Sequence, residues 1–292
     1  MLEPNTKVKL GGRSRRMKAS LYGSGYLDYH PHPREESEQR KCIILLPCFN
    51  EEGNLTQLLS SIHGTMIGLN MPYEVVAVND GSTDDTDGIL RDLAEKYPIK
   101  IIRHDKNMGL AAVYRTSIDT SIRDSLENDV IFTMDADNTQ DPHYIVSMLK
   151  EVENGTSIVI GSRYVDGGSQ INVPFHRVVL SKIINLLIRK IAQMPIMDAT
   201  SGYRCYKASV LRTASSIFKD KFIESQGFEV PLEVLVKTYR SNSGINMKEI
   251  PITLDYGKKV GKSKLKLITT INLYIRLLRK ISAWRNQSRD FC

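Results

Sequence analysis

The chain has 292 residues, 41% hydrophobic and 25% charged, with a net charge of +7. That is enough to bury a full core as one large α/β domain with appendages, or as two small ones. No stretch reaches about 18 uninterrupted apolar residues, which excludes a transmembrane helix. Cys42, Cys48, Cys205 and Cys292 show no metal-ligand spacing and no secretory leader precedes them, so they read as free thiols in a reducing cytoplasm. The positive charge is uneven. From Gly257 to Arg289 there is no acid, while Lys258, Lys259, Lys262, Lys264, Lys266, Arg276, Arg279, Lys280, Arg285 and Arg289 all fall there. Such a tail suits a membrane surface, a nucleic acid or a phosphorylated substrate.

Residues 1–40 are rich in Gly, Ser, Arg, Pro and His and lack apolar periodicity, which predicts a poorly ordered basic arm. Arg13, Arg15, Arg16 and Lys18 are either phosphate contacts or a solvated tail. Cys42 to Pro47 reads as a first strand with Cys48-Phe49-Asn50-Glu51-Glu52 as its loop. Helical spacing follows from about Asn54 to Met66. Tyr73 to Val78 is a second strand, ending in Asn79-Asp80-Gly81-Ser82-Thr83-Asp84. Ser82 or Thr83 can cap a helix running to about Lys96. Ile99 to Arg103 is a third strand, and a helix runs from Asn107 to about Ile122. Strands and helices alternate with short connections, which predicts a mostly parallel sheet with helices on both faces.

Val130-Ile131-Phe132-Thr133-Met134 then ends in Asp135-Ala136-Asp137. In a parallel sheet these acids sit past the carboxyl end of a strand, where open α/β sheets bind ligands. Two close carboxylates repel each other and want a cation. Mg²⁺ or Mn²⁺ uses one or two carboxylates and completes its shell with water and substrate phosphate. The alternative is a solvated turn with Asp141 capping a helix before Pro142. Neither a G-x-G-x-x-G after the first strand nor a P-loop motif is present, so the usual dinucleotide and P-loop readings lose their main support. Asp80 could accept a hydrogen bond from a base N–H or a ribose hydroxyl, or close an Asx-turn before Gly81.

Residues 46–52 (LPCFNEE), 78–84 (VNDGSTD) and Asp135-Ala136-Asp137 resemble the nucleotide-binding half of family 2 glycosyltransferases with the GT-A fold. Residues 161–168 (GSRYVDGG), Ser201-Gly202-Tyr203-Arg204 and Gly261-Lys262-Ser263-Lys264-Leu265 resemble the dolichol-phosphate mannosyltransferase group. The resemblance covers roughly residues 41–270, and it implies a nucleotide-sugar donor and a polyprenyl phosphate acceptor. It implies nucleotide-sugar contacts from Pro47, Phe49, Asn50, Glu51, Asp80, Asp135, Ala136 and Asp137. It implies acceptor-phosphate contacts from Arg163, Arg177, Ser181, Arg204, Lys262 and Lys264. Asp135 and Asp137 would hold the metal. Gln140 stands one place further along than the glutamine that serves as third ligand in that group, so its role as a ligand is open.

The second half carries its own pattern. Ser157 to Gly161 is strand-like, Arg163 follows it, and Gly167-Gly168-Ser169 predicts a loop able to close over a ligand. Pro174 is expected at the first position of a helix running to about Met194, with Arg177, Ser181, Asn185, Arg189 and Gln193 as a polar stripe. Val178, Val179, Ile183, Ile184, Leu187, Ile188 and Ile191 give a broad apolar surface. The helix is either a core helix with a wet edge or a helix in the membrane interface, its basic side toward headgroups. Leu265 to Trp284 repeats the theme: Ile268, Ile271, Ile275, Leu278 and Ile281 form one stripe, with Trp284 as a headgroup anchor.

This predicts a basic arm over 1–40, a GT-A domain over 41–256 and a basic amphipathic segment over 257–292. The activity expected is inverting transfer of a hexose, mannose from GDP-mannose, onto a polyprenyl phosphate. The expected place is the cytoplasmic face of a membrane, with peripheral contact or contact through an integral membrane partner, and no nucleic acid. The acceptor is already an anion, so no general base is needed; His143 and His176 read as turn or headgroup contacts. Transfer from UDP-glucose, a glycan or protein acceptor, nucleotidyl transfer and an inactive membrane-surface module are the alternatives.

Overall fold

The computed structural model describes residues 39–261 and 267–287, which fall in one compact unit. Nine strands and eight helices are described. They are β1 (Cys42–Cys48), α1 (Leu55–Gly68), β2 (Tyr73–Asn79), α2 (Thr86–Ala94), β3 (Ile99–Arg103), α3 (Leu110–Asp124), β4 (Val130–Thr133), α4 (Tyr144–Glu153), β5 (Ile158–Ser162), β6 (Ser169–Ile171), α5 (Phe175–Ala192), β7 (Arg204–Lys207), α6 (Ala208–Phe218), α7 (Val230–Arg240), β8 (Met247–Pro251), β9 (Thr253–Asp255) and α8 (Leu267–Gln287).

Seven strands form one sheet in the order β3-β2-β1-β4-β7-β5-β8. Every pairing is parallel except those of β7, which runs antiparallel to both β4 and β5. The alternation of side chains sorts residues to two cores. Cys42, Ile44 and Leu46 join Val130 and Phe132 under α1 and α4; Ile43, Leu45 and Ile131 point the other way, toward α3, α6 and α7. This is the two-faced α/β architecture that the sequence predicts. The switch from β1 outward to β2 on one side and β4 on the other opens a crevice at the carboxyl ends of these strands, where ligands bind in such sheets.

Three details differ from the sequence reading. Pro174 is the N-cap of α5 rather than its first helical residue. The Gly167-Gly168 turn leads straight into β6, which pairs with β9, and the Ser169 and Thr253 hydroxyls lie 2.8 Å apart. The loop expected to close over a ligand is therefore pinned along the strand that follows it. Helix α8 buries only part of its stripe, with Leu278 and Ile281 covered and Ile275 42% exposed. Tyr274, Leu277, Leu278 and Ile281 pack into the core shared with α5 and α7, and Lys237 Nζ sits 4.7 Å over the Trp284 ring. A protein cation, not a lipid headgroup, takes that indole face. Ile268 lies among the side chains outside the described residues.

Candidate active site

The crevice floor is built from backbone loops knitted side to side. Asn50 adopts a left-handed conformation (φ 52°), which asparagine tolerates. Its N–H donates to Ser82 Oγ at 2.9 Å and its Oδ1 accepts from Thr83 N at 2.8 Å. Glu51 N donates to Thr86 Oγ1. The loops after β1 and β2 thus hold each other. Asn79 Oδ1, not Asp80, closes the turn by accepting from Ser82 N. Gly81 (φ 66°) cannot be replaced cheaply, because a Cβ there would collide with the Lys106 backbone.

Asp80 is only 3% exposed. Its Oδ1 accepts from Met108 N at 2.9 Å and lies 2.7 Å from His104 Nδ1, and its Oδ2 accepts from Gly109 N at 2.8 Å. His104 Nε2 in turn meets Thr116 Oγ1 at 3.0 Å. Asp80 therefore fastens the 104–109 loop and the start of α3 to the crevice. The sequence reading missed His104, which has no motif around it; only the fold brings it to Asp80.

Asp135 and Asp137 stand past the end of β4, as the sequence predicts. Asn138 takes the left-handed conformation (φ 63°) that turns the chain after them. Burial and the neighbouring charge of Asp137 push the Asp135 carboxyl up to about 7, with Lys259 working in the opposite direction. Gln140 is not aimed outward as a ligand. Its Nε2 donates to Asp135 Oδ2 at 2.8 Å, and its Oε1 accepts from Asp135 N at 3.0 Å. It braces Asp135 from the protein side, which the one-place shift in sequence foreshadows. Asp137 Oδ1 accepts from Thr139 N and Oγ1 at 3.2 and 2.7 Å. Its Oδ2 takes Lys259 Nζ at 2.6 Å. Among the described residues no three His, Cys, Asp or Glu side chains converge into a closed cage. Two neighbouring carboxylates, one of them neutralised by Lys259, fit a hard divalent cation that keeps water and phosphate oxygens in its shell.

The second cluster lies on the β5 side. Arg163 follows β5 and is held by Asp198, with Nε and Nη2 donating at 2.7 Å each. Nη2 also reaches Thr200 Oγ1 at 2.8 Å and Ser181 Oγ at 3.4 Å. Burial alone would raise Asp198, but the Arg163 charge and its hydrogen bonds hold the carboxyl below the usual range. Glu249 on β8 fixes the Asp198 backbone, accepting from Met197 N and Asp198 N. One edge of the Arg163 fork, Nε and Nη2, is thus engaged by the protein and is not available to a phosphate. Asp198, Thr200 and Glu249 have no place in the sequence reading.

Helix α5 turns part of its polar stripe inward. Ser181 and Asn185 meet Thr200 at 3.2 and 3.0 Å, and Arg177 lies one turn earlier. At Ser181 and Asn185 the stripe faces the protein, whereas Arg189 and Gln193 further along it are exposed. The outer face carries exposed apolar residues, with Phe175 81% exposed and Ile183 51% and Val179, Leu186 and Leu187 beside them, interspersed with the exposed His176, Lys182 and Lys190.

Arg204 leaves the site altogether. It is 1% exposed, with Nη2 donating to Ala199 O at 2.7 Å and Nη1 to Pro231 O and Tyr206 Oη. Its position on β7, between β4 and β5, points the guanidinium into the core, where it ties three segments. Lys262 and Lys264 lie outside the described residues.

Two elements join the clusters. The segment from Asp198 to Gly202 begins on Arg163 and ends at Gly202, where a side chain would come 3.6 Å from Asp135 Oδ1. Tyr256 is the second. Its hydroxyl is raised by burial and by Asp135, and it feels the charges of Arg163, Asp137 and Arg177 as well. Asp135, Asp137, Arg163 and Arg177 thus all lie within electrostatic reach of one tyrosine.

Known proteins share this fold and part of this sequence. The chain is 34% identical over 252 residues to a dolichol-phosphate mannosyltransferase of Pyrococcus furiosus, covering 85% of this chain and 65% of that protein, so it spans under two thirds of that relative's length. It is 30% identical to a polyprenol monophosphomannose synthase of Mycolicibacterium smegmatis, covering 77% of this chain and 81% of the relative. The fold matches glucosyl-3-phosphoglycerate synthase from Mycobacterium tuberculosis, solved with Mg²⁺ and uridine diphosphate, at a TM-score of 0.57 and 16% identity over 83% of this chain and 78% of that one. Residues 43–214 match the description "Glycosyl transferase family 2". With its GT-A sheet, its loops after β1, β2 and β4 and its closest motifs all inside that span or beside it, the chain belongs to glycosyl transferase family 2.

Proposed function

We propose that this chain transfers a hexose, mannose from GDP-mannose, to a polyprenyl phosphate at a membrane surface. The observation that carries the reading is two oppositely charged clusters within electrostatic reach of Tyr256, beside the exposed apolar residues of α5. The names of the relatives support a polyprenyl phosphate acceptor.

The nucleotide sugar lies against the loops after β1, β2 and β4. Asp135 and Asp137 would hold a divalent cation, Mg²⁺ or Mn²⁺, which would supply positive charge to the diphosphate leaving group. Gln140 and Thr139 keep the two carboxylates in place. Arg163 Nη1, Arg177 and Ser181 receive the acceptor phosphate, and Asp198 and Thr200 fix Arg163 in its rotamer. One phosphate oxygen attacks the anomeric carbon as the bond to the diphosphate oxygen breaks on the opposite side, which inverts the configuration. The nucleophile arrives as an anion, so the residues here position and neutralise charge and remove no proton.

The outer face of α5 supports membrane contact. Phe175, Val179, Ile183, Leu186 and Leu187 form an apolar stripe that would bury into acyl chains with the phosphate site directly behind it. No described helix is long and apolar enough to cross a membrane. The reading therefore places the enzyme peripherally on the cytoplasmic face, where nucleotide sugars are supplied, on its own or with an integral membrane partner. The test is transfer from GDP-mannose, UDP-glucose and other nucleotide sugars to a polyprenyl phosphate in vesicles, with Mn²⁺ or chelator. Mannosyl transfer from GDP-mannose is expected. Transfer only from UDP-glucose corrects the donor, and transfer only to a glycan overturns the acceptor.

A further inference from the structure

The segment after β9 crosses the donor crevice as a strap. Asp255 N donates to Thr139 O at 3.1 Å. Lys258 Nζ lies 3.4 Å from Asp141 Oδ2. Val260 is tied by its backbone to the buried Asn54 side chain, its N–H donating to Oδ1 at 3.0 Å and its carbonyl accepting from Nδ2 at 3.1 Å. The fit is close, since a Cβ at Gly53 would stand 2.8 Å from Val260 Cγ1. Between these anchors Lys259 turns inward and donates to Asp137 Oδ2 at 2.6 Å, with both side chains 14% exposed.

That contact puts an ammonium on one of the two carboxylates that fit a divalent cation. Two cations cannot share one carboxylate oxygen at close range without strong repulsion. Lysine is suited to changing partners, because its point charge on a four-carbon stem has no fixed fork to satisfy. A nucleoside diphosphate arriving with the metal brings fresh negative charge beside the strap.

We propose that Lys259 is a charge-exchange residue: it neutralises Asp137 until a divalent cation takes that carboxylate, then moves to the diphosphate of the donor. This rests on the nucleotide-sugar reading above. The strap thereby makes metal and donor bind together rather than one at a time. Lys259 opposes the bare metal and favours the metal–diphosphate pair, so its removal must change the two affinities in opposite directions.

The test is calorimetric titration of the full chain with Mn²⁺ alone and with GDP or UDP in saturating Mn²⁺, for the wild type, Lys259→Met and Lys259→Arg. Lys259→Met keeps the length of the stem and removes the charge. It is expected to bind Mn²⁺ alone about threefold to tenfold more tightly, and the nucleoside diphosphate roughly tenfold more weakly. Lys259→Arg retains the charge and is expected to stay within about threefold of wild type in both. If Lys259→Met leaves both affinities unchanged or weakens both, Lys259 is a structural counter-ion and the proposal is overturned. If both tighten, it only blocks the site, and the transfer to diphosphate is overturned. A wild-type chain that binds neither GDP nor UDP with Mn²⁺ refutes the donor reading itself, an outcome visible before any variant is made.

Discussion

The proposed donor side, around Asp135 and Asp137, and the proposed acceptor side, around Arg163, are built in different ways. On the donor side Asp135 and Asp137 sit on the loop that directly follows β4, and their neighbours in sequence brace them, while Asn50 and Asp80 are held by the adjoining loops. Gln140 braces Asp135 and Thr139 braces Asp137 from within five residues. On the acceptor side Arg163 is held by Asp198, Thr200 and Ser181, residues 18 to 37 positions away, and Asp198 is held in turn by Glu249, a further 51 positions on. Local loops tolerate the loss of a side chain without unfolding. A buried ion pair strung between β5, α5 and β8 does not.

The contrast is sharpened most by separating activity from stability. Asp137→Ala removes a carboxylate in a loop and no core volume. Transfer is expected to fall by about a thousandfold or more, as for the loss of a major charge-stabilising group, while the thermal midpoint hardly moves. Full activity of this variant, or of the wild type in excess chelator, would break the metal reading.

Asp198→Ala attacks the other side. It leaves Arg163 buried without its counter-charge, a loss on the order of 3–5 kcal/mol of stability. The pH dependence has a definite sign. The folded-state pKa of Asp198 lies below its unfolded value, so the pair's contribution is complete above about pH 4 and disappears as the pH falls below it. Urea unfolding should show a gap between wild type and Asp198→Asn at pH 7 that narrows in acid. A gap that does not depend on pH would mean that the pair acts through packing alone.

Arg177→Ala is expected to lower transfer to polyprenyl phosphate roughly tenfold to a hundredfold, by leaving the acceptor anion short of one charge. Affinity for the nucleotide sugar should stay the same. Equal loss of donor affinity and transfer would move this arginine to the donor diphosphate and dissolve the division between the two sides.

The smallest effect is expected outside the cleft. Ile183→Asp puts a charge on the exposed stripe of α5, where no packing is lost. Stability and transfer to a short, soluble polyprenyl phosphate should be nearly unchanged, while flotation with anionic vesicles should drop severalfold. Unaltered flotation would assign membrane contact to another surface.

Much of the donor side could be read from the sequence. A short β-rich run ending in two acids, Asn-Asp-Gly-Ser after another, and strand–helix alternation suffice, because a parallel sheet delivers every such loop to the same edge. The conformation of Asn50 and Asn138 and the need for Gly81 follow from the same local rules. The apolar pattern of α5 and α8 was equally legible, yet it could not say which face meets what. Periodicity shows that a helix has an apolar stripe; only tertiary packing decides whether a neighbour covers it. For α8 the core covers part of it, with Leu278 and Ile281 buried. For α5 the same core takes part of the polar stripe through Thr200 and Asp198, leaving Phe175 and Ile183 outside. Arg204 and Arg163 look alike in sequence, each following or opening a short strand near glycine and tyrosine. The antiparallel placement of β7 between two parallel partners sends Arg204 into the core, and the ladder from Glu249 through Asp198 sends Arg163 to the cleft. Charge and pattern along the chain specified the chemistry available; long-range contacts, which no local propensity encodes, decided which of those charges share one site.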